Sequence, residues 1–262
     1  MIRLFVLTLL VTFLLTTTGL ARPLVIAHRG GADLAPENTL AAFANSIFWG
    51  CDYFELDVHV SKDGQLVVMH DGDVSRTTNG KGEICDMTLA EIKQLDAGIK
   101  FNPLYAGERV PLLEQALNLA QGKCGVVIEI KYGGQKYPGI EQKVVDCIRA
   151  KNMIDKVLVI SFDPESCKTV RQIEPKIRCG VLYGEALKIP AWQFAEQYNA
   201  EIASPNFNLA TAAEINAAHA HGKLISVWTI NKESDMKKYI ALGVDAITTN
   251  NPPLLLKVLN GK

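Results

Sequence analysis

Two histidines, an arginine, a lysine and several carboxylates sit in or at the ends of apolar runs in this chain. His28-Arg29-Gly30 closes the run from Leu24 to Ala27, and Glu55 and Asp57 are embedded in the run from Tyr53 to Val60. His70-Asp71 closes Leu66 to Met69, and Glu129 and Lys131 end the run that starts at Val126. Side chains alternate along a strand, so Glu55 and Asp57 share one face, as do Glu129 and Lys131. Buried carboxylates are costly unless paired or bound to metal. Glu55, Asp57 and Glu129 together make a three-carboxylate site, and all-oxygen ligands select a hard cation, Ca²⁺ or Mg²⁺, over zinc. With Arg29, Lys131 and the imidazoles of His28 and His70, such a site suits a phosphate ester. The cations neutralise phosphoryl charge, one histidine takes a proton and the other gives one, with the two roles unassigned. Pairing of the acids with Arg29 and Lys131 would explain any one of these residues alone, but not seven polar groups at one place.

These residues must be positioned by strands. Asp63-Gly64 between two apolar runs marks a hairpin. A two-residue loop puts Asp57 opposite His70, and a loop of Ser61 to Gly64 puts Glu55 there; either brings His70 beside the acids, because opposed residues share a face. A three-residue loop would break that register. From Pro111 onward helical and strand patterns alternate, with strands starting near residues 24, 53, 126, 157, 179, 201, 224 and 246. Eight such units predict a (β/α)₈ TIM barrel, with Leu66–Met69 as an extra hairpin arm and a small insertion over the site at about residues 72–110. Within that insertion Thr88 to Glu91 is a capping-box pattern opening a short helix through Leu95. A doubly wound sheet is the competing architecture, but the GxGxxG turn it needs after its first strand is missing. Nor is there a GxSxG or HExxH motif to offer another chemistry.

A net charge of −1 gives no electrostatic case for nucleic acid. Arg3, the apolar stretch Leu4 to Leu15 and the small residues Gly19 and Ala21 form the pattern of a secretory signal cut after Ala21. That leaves a single exported domain, 22–262, periplasmic or secreted and without a membrane span; an uncleaved anchor is the alternative. The cysteines (Cys51, Cys85, Cys124, Cys147, Cys167, Cys179) permit disulfides in an exported protein, but none has CxxC spacing. Buried free thiols are the expectation for most of them. His59 lies on the Glu55/Asp57 face but further out, and is expected to be peripheral. His219 and His221, near a helix end, are expected to be structural. Glu37 or Asn38 is expected to cap the first helix.

The motifs His28-Arg29-Gly30, Pro36-Glu37-Asn38-Thr39, Glu55-Leu56-Asp57, Asp63-Gly64, His70-Asp71, Arg76-Thr77-Thr78 and Glu129-Ile130-Lys131 resemble those of the glycerophosphodiester phosphodiesterases. Ser161-Phe162, His219 to Gly222, Val227-Trp228-Thr229 and Gly243-Val244-Asp245 extend the likeness over nearly the whole mature chain. The resemblance implies hydrolysis of small glycerophosphodiesters to glycerol 3-phosphate and an alcohol. It implies His28 and His70 as the acid/base pair, Glu55, Asp57 and Glu129 as metal ligands, and Arg29 and Lys131 as phosphate contacts. Trp228 is similar to the aromatic residue lining the family's pocket, with Phe162 a second substrate contact. One departure is Thr249-Asn250-Asn251-Pro252, where the family usually has aspartate after threonine; closure of the last strand is therefore expected to differ. Two alternatives stay open: lysophospholipase D-like action on larger lipids, using Phe101, Leu104 and Tyr105 of the insertion, and a non-catalytic phosphodiester-binding barrel.

Overall fold

In the computed structural model, which describes residues 22–132 and 136–261, every apolar run named above is a strand. The first half of the chain runs β1 (Leu24–Ala27), α1 (Leu40–Phe48), β2 (Tyr53–Val60), β3 (Leu66–Val68), α2 (Leu89–Ile92), α3 (Leu113–Ala120), β4 (Gly125–Ile130) and α4 (Ile140–Ala150). The second half runs β5 (Val157–Ser161), α5 (Pro164–Ile173), β6 (Arg178–Tyr183), α6 (Ala191–Gln197), β7 (Ile202–Pro205) and α7 (Ala212–Ala220). It ends with β8 (Leu224–Val227), α8 (Glu233–Ala241), β9 (Ala246–Thr249) and α9 (Pro252–Leu259). The expected signal segment lies outside the described residues.

Eight parallel strands close on themselves, in the order β1-β9-β8-β7-β6-β5-β4-β2, with β2 returning to β1. This is the (β/α)₈ barrel. β3 is the extra arm, antiparallel to β2. β2 is long enough to serve three neighbours. Its first residues pair with β1 (Tyr53 with Ile26), Tyr53 to Val58 with β4, and its last three residues with β3. β9 pairs with β1 over four residues, so the last strand closes the barrel in the ordinary way despite Asn250.

Alternation along each strand sends one set of side chains to the helices and the other into the barrel. Outward-facing Phe54, Leu56, Val126, Ile128, Val159 and Val181 join the large core beneath the helices. There Phe43 of α1 stacks on Phe54 at 4.4 Å between ring centroids. Inside, Ile26, Val127, Leu158, Ile160, Leu182 and Ile202 fill the lower barrel. Each such buried side chain contributes roughly 1.5–3 kcal/mol relative to exposure. The polar residues on the inward face therefore stand above an apolar plug, at the strands' C-terminal ends.

The hairpin loop differs from both alternatives read from the sequence. Val58 pairs with Val68 and Val60 with Leu66, and the Ser61 amide bonds the Gln65 carbonyl, leaving a three-residue loop, Lys62 to Gly64. Ser61 Oγ fixes that loop by donating to Asp63 and accepting from the Gln65 amide. Met69, not His70, comes opposite Asp57. Residues Val67, Met69, Val74, Ile84, Ile92 and Leu95 give the segment after the hairpin a small core of its own. α2 carries both bonds of the capping box but stops at Ile92 instead of reaching Leu95. All six cysteines are free thiols, with Cys51, Cys167 and Cys179 buried. No helix among the described residues is long and apolar enough to cross a membrane.

Candidate active site

The turn after β1 sets the geometry. Arg29, Gly30 and Gly31 all adopt left-handed backbone, with φ of 51°, 83° and 91°. This aims the Arg29 amide at Glu55 Oε2, 2.8 Å away. Asn38, also left-handed at φ 58°, donates through Nδ2 to Asp57 Oδ2 (2.8 Å) and accepts the Asp57 amide on Oδ1 (3.2 Å). Non-glycine residues in this region cost about 1–2 kcal/mol each, and here two of them hold acids of the site. Neither Glu37 nor Asn38 is the cap of α1. Thr39 caps it, accepting the Ala42 amide, which frees its two neighbours for the site.

Glu55, Asp57 and Glu129 converge: one oxygen of each lies within 4.8 Å of the others, and all three residues are buried. Asp57 and Glu129 are abreast in the β2–β4 register, and Glu55 is one inward position earlier on β2. Lys131 Nζ lies 2.7 Å from Glu129 Oε1 and 3.5 Å from Asp57 Oδ1; Arg29 Nε lies 3.8 Å from Asp57 Oδ2. Burial, then the charges of Asp57 and Glu129, push Glu55 well above the usual carboxylate range. Glu129 is raised by burial and by Asp57. Burial would raise Asp57 too, but Lys131, His70 and Arg29 outweigh it and hold that carboxyl low. Asp57 Oδ1 and Arg29 Nε are buried with no hydrogen-bond partner. Three mutually repelling acids, one with an unbonded oxygen, fit a hard divalent cation; the donor set contains no sulfur or imidazole to favour zinc.

The two histidines flank this cluster. His28 Nδ1 is 2.6 Å from Asn250 Oδ1, and burial followed by the charge of Arg29 lowers its pKa to about 4. The departure at Asn250 thus alters the partner of His28 and leaves the strand closure alone. His70 Nδ1 is 2.6 Å from Asp71 Oδ1, and its pKa is also lowered, chiefly by burial. His70 reaches the site from beyond the end of β3, where strand parity no longer applies, so the expected neighbourhood is met by another route. Asp71 also bonds Arg76 Nε, and Arg76 pairs with Glu37, which holds Arg29 at 3.0 Å. One charged chain therefore links both histidine turns.

His59 is not peripheral. It is fully buried, with Nε2 3.0 Å from the His70 carbonyl and Nδ1 2.9 Å from the Tyr137 hydroxyl. A polar residue at inward parity was the available signal. His219 pairs with Asp245 and His221 stacks on Trp192, both away from the site, as expected of structural residues.

A pocket of about 120 Å³ opens into the barrel and is lined by His28, Arg29, Glu55, His70, Glu129 and Trp228, among others. Trp228 donates Nε1 to the Ser204 carbonyl at 2.8 Å, and Phe162 meets its ring edge-on at 5.4 Å. Lys131 faces a wider neighbouring groove with Asp71, Asp73, Glu83 and Tyr132.

A TIM-barrel mouth carrying buried acids, two imidazoles and two fixed cations defines a phosphoric diester hydrolase. The chain belongs to the glycerophosphoryl diester phosphodiesterase family, whose model matches residues 28–254. It is 41% identical to a glycerophosphodiester phosphodiesterase of Caldanaerobacter subterraneus subsp. tengcongensis, over 91% of this chain and 98% of that one. A glycerophosphodiester phosphodiesterase structure from Agrobacterium tumefaciens superposes with a TM-score of 0.79 at 31% identity, covering 89% of this chain and 98% of that one. An Oleispira antarctica phosphodiesterase in complex with its product sn-glycerol-3-phosphate gives a TM-score of 0.82 at 29% identity, over 91% of this chain and 97% of that one.

Proposed function

We propose that this enzyme hydrolyses glycerophosphodiesters to glycerol 3-phosphate and an alcohol, with His28 and His70 moving the protons and Glu55, Asp57 and Glu129 holding Ca²⁺ or Mg²⁺. The observation that carries this reading is the convergence of the three acids between the two imidazoles. Glu55, Asp57 and Glu129 would hold the cation, which when bound would supply positive charge to neutralise a phosphoryl oxygen. Arg29, braced by Glu37, and Lys131, held by Glu129, offer their remaining N–H groups to the other phosphoryl oxygens.

The surroundings of the imidazoles support a division of roles. The Asn250 oxygen only accepts, so His28 carries its proton on Nδ1 and turns the lone pair of Nε2 to the pocket. With a neutral partner and a pKa near 4 it stays neutral and serves as the base for the attacking oxygen. Burial holds the His70 pKa below its ordinary value, but the carboxylates of Asp57 and Asp71 oppose that shift and support the protonated ring as the donor of an Nε2 proton to the leaving alcohol. Release of glycerol 3-phosphate from a panel of diesters, with and without chelator, tests the proposal. His28→Ala and His70→Ala should each lower kcat by roughly 10²–10⁴-fold. Full activity under chelation would remove the cation from the mechanism.

Lysophospholipase D-like action is a second reading, favoured by the 90% exposure of Leu104 and 43% exposure of Phe101 on the insertion. Turnover of lysophosphatidylcholine against glycerophosphocholine separates the two.

A further inference from the structure

The base of the barrel, where the strands begin, lies opposite the catalytic mouth and carries a different surface. α1 ends there on Phe48, and Trp49 leads the chain back toward β2. The two rings meet edge-on at 5.6 Å and are 80% and 47% exposed. Leu24 and Leu224, the first residues of β1 and β8, are exposed on the same side. Large apolar side chains gathered in water mark a contact surface, and tryptophan is enriched where protein meets lipid headgroups.

Basic side chains stand beside these rings. Lys123, Lys156 and Lys176 lie just ahead of β4, β5 and β6; all are exposed, and among the described residues none of the three enters an ion pair. The Gly125 amide bonds the Asp52 carbonyl at 2.9 Å, which sets the Lys123 turn against the turn that holds Trp49. Acids on these turns are mostly matched: Asp52 by Arg22, Glu174 by Arg149, Glu201 by Arg171 and Asp245 by His219. Asp155, exposed and in no such pair among the described residues, offsets one lysine. The base is thus left with positive charge. At the mouth the sign reverses, for the groove there has Asp71, Asp73, Glu83 and Asp163 against Lys131 and Lys136. A net charge of −1 conceals these two poles.

We infer that the base is a docking face for an anionic lipid surface, on which the barrel stands with its mouth turned to the bulk. Phe48 and Trp49 enter the headgroup layer, and the three lysines meet lipid phosphates. The order of the chain points the same way. Arg22 is held on this face by Asp52, and the apolar run Leu4 to Leu15 ends six residues before it. A chain tethered through that run presents its base to the bilayer, before cleavage or without it. Docking needs no step of catalysis, so it stands apart from the hydrolase reading. It does bear on supply: a mouth turned from the bilayer receives water-soluble diesters.

The test cosediments the chain from Arg22 onward, which contains the whole closed barrel, with two kinds of vesicle. One is equal parts phosphatidylglycerol and phosphatidylcholine, the other phosphatidylcholine alone. The anionic vesicles should bind the protein more tightly, and less so as salt rises, because exposed charges are screened. Lys123→Gln and Lys156→Gln should each weaken that binding about fivefold, and Phe48→Ser with Trp49→Ser more than about tenfold. Thermal melts confirm that the variants fold. Wild type that ignores anionic vesicles, or that binds phosphatidylcholine alone as tightly, would overturn the proposal. So would binding that survives the base substitutions but is lost in Phe101→Ser with Leu104→Ser, which would put the mouth on the lipid instead.

Discussion

Asn250 and Asp71 grip the two imidazoles by the same nitrogen but with different charge, and that difference can be moved. In Asn250→Asp a carboxylate replaces a neutral amide and favours the imidazolium of His28. Its pKa rises from about 4, so the acid limb of kcat/KM, where the base becomes protonated, should move to higher pH. Asp71→Asn removes one of the two carboxylates, with Asp57, that oppose the downward push of burial on His70. The His70 pKa falls, the proton donor is lost at lower pH, and the alkaline limb should shift downward, with kcat lowered about 10–100-fold. A pH–rate series on the variants reads both signs. His59 is argued at the same scale: it bonds the His70 carbonyl, so His59→Leu should reduce kcat about tenfold at near-constant KM. His59→Gln, which keeps a donor near that carbonyl, should recover most of the loss.

The turn joining β1 to α1 works because its backbone is left-handed where the chain passes closest to α1. A Cβ built on Gly30 would lie 2.6 Å from the Ala42 Cβ and 2.9 Å from the Phe43 ring. Gly30→Ala should therefore destabilise the fold by more than about 2 kcal/mol in denaturant unfolding, and should lower activity by displacing Arg29 and its bond to Glu55. The β2–β4 pair carries a complementary expectation. Its acids repel one another, so Glu55→Gln should raise the melting temperature of chelator-treated protein and abolish the several-degree rise that saturating Ca²⁺ or Mg²⁺ gives wild type. A cation-dependent shift that survives this substitution would place the ion elsewhere.

For the whole molecule, the expectation of export has a direct readout: cleavage after Ala21 leaves Arg22 as the first residue, and N-terminal sequencing of protein from the producing cells identifies it. Arg22 already pairs with Asp52 at 2.8 Å, so a chain cut there keeps its first residue on the barrel. The strands, their alternation and the three acids were legible because local apolar period and parity depend on neighbouring residues alone. Parity names the face of a strand; it does not name the partner across the barrel. Asp63-Gly64 announced a hairpin without fixing a loop of three residues, and so could not say how His70 reaches the acids. The bond between His28 and Asn250 joins residues 222 positions apart, and the clasp of Asn38 on Asp57 needs a left-handed turn in a segment with no period. Sequence alone determined which side chains face inward and that their chemistry suits a phosphate ester. Only closure of β9 onto β1 decided which atoms meet, because distances across a barrel are set by all eight strands at once.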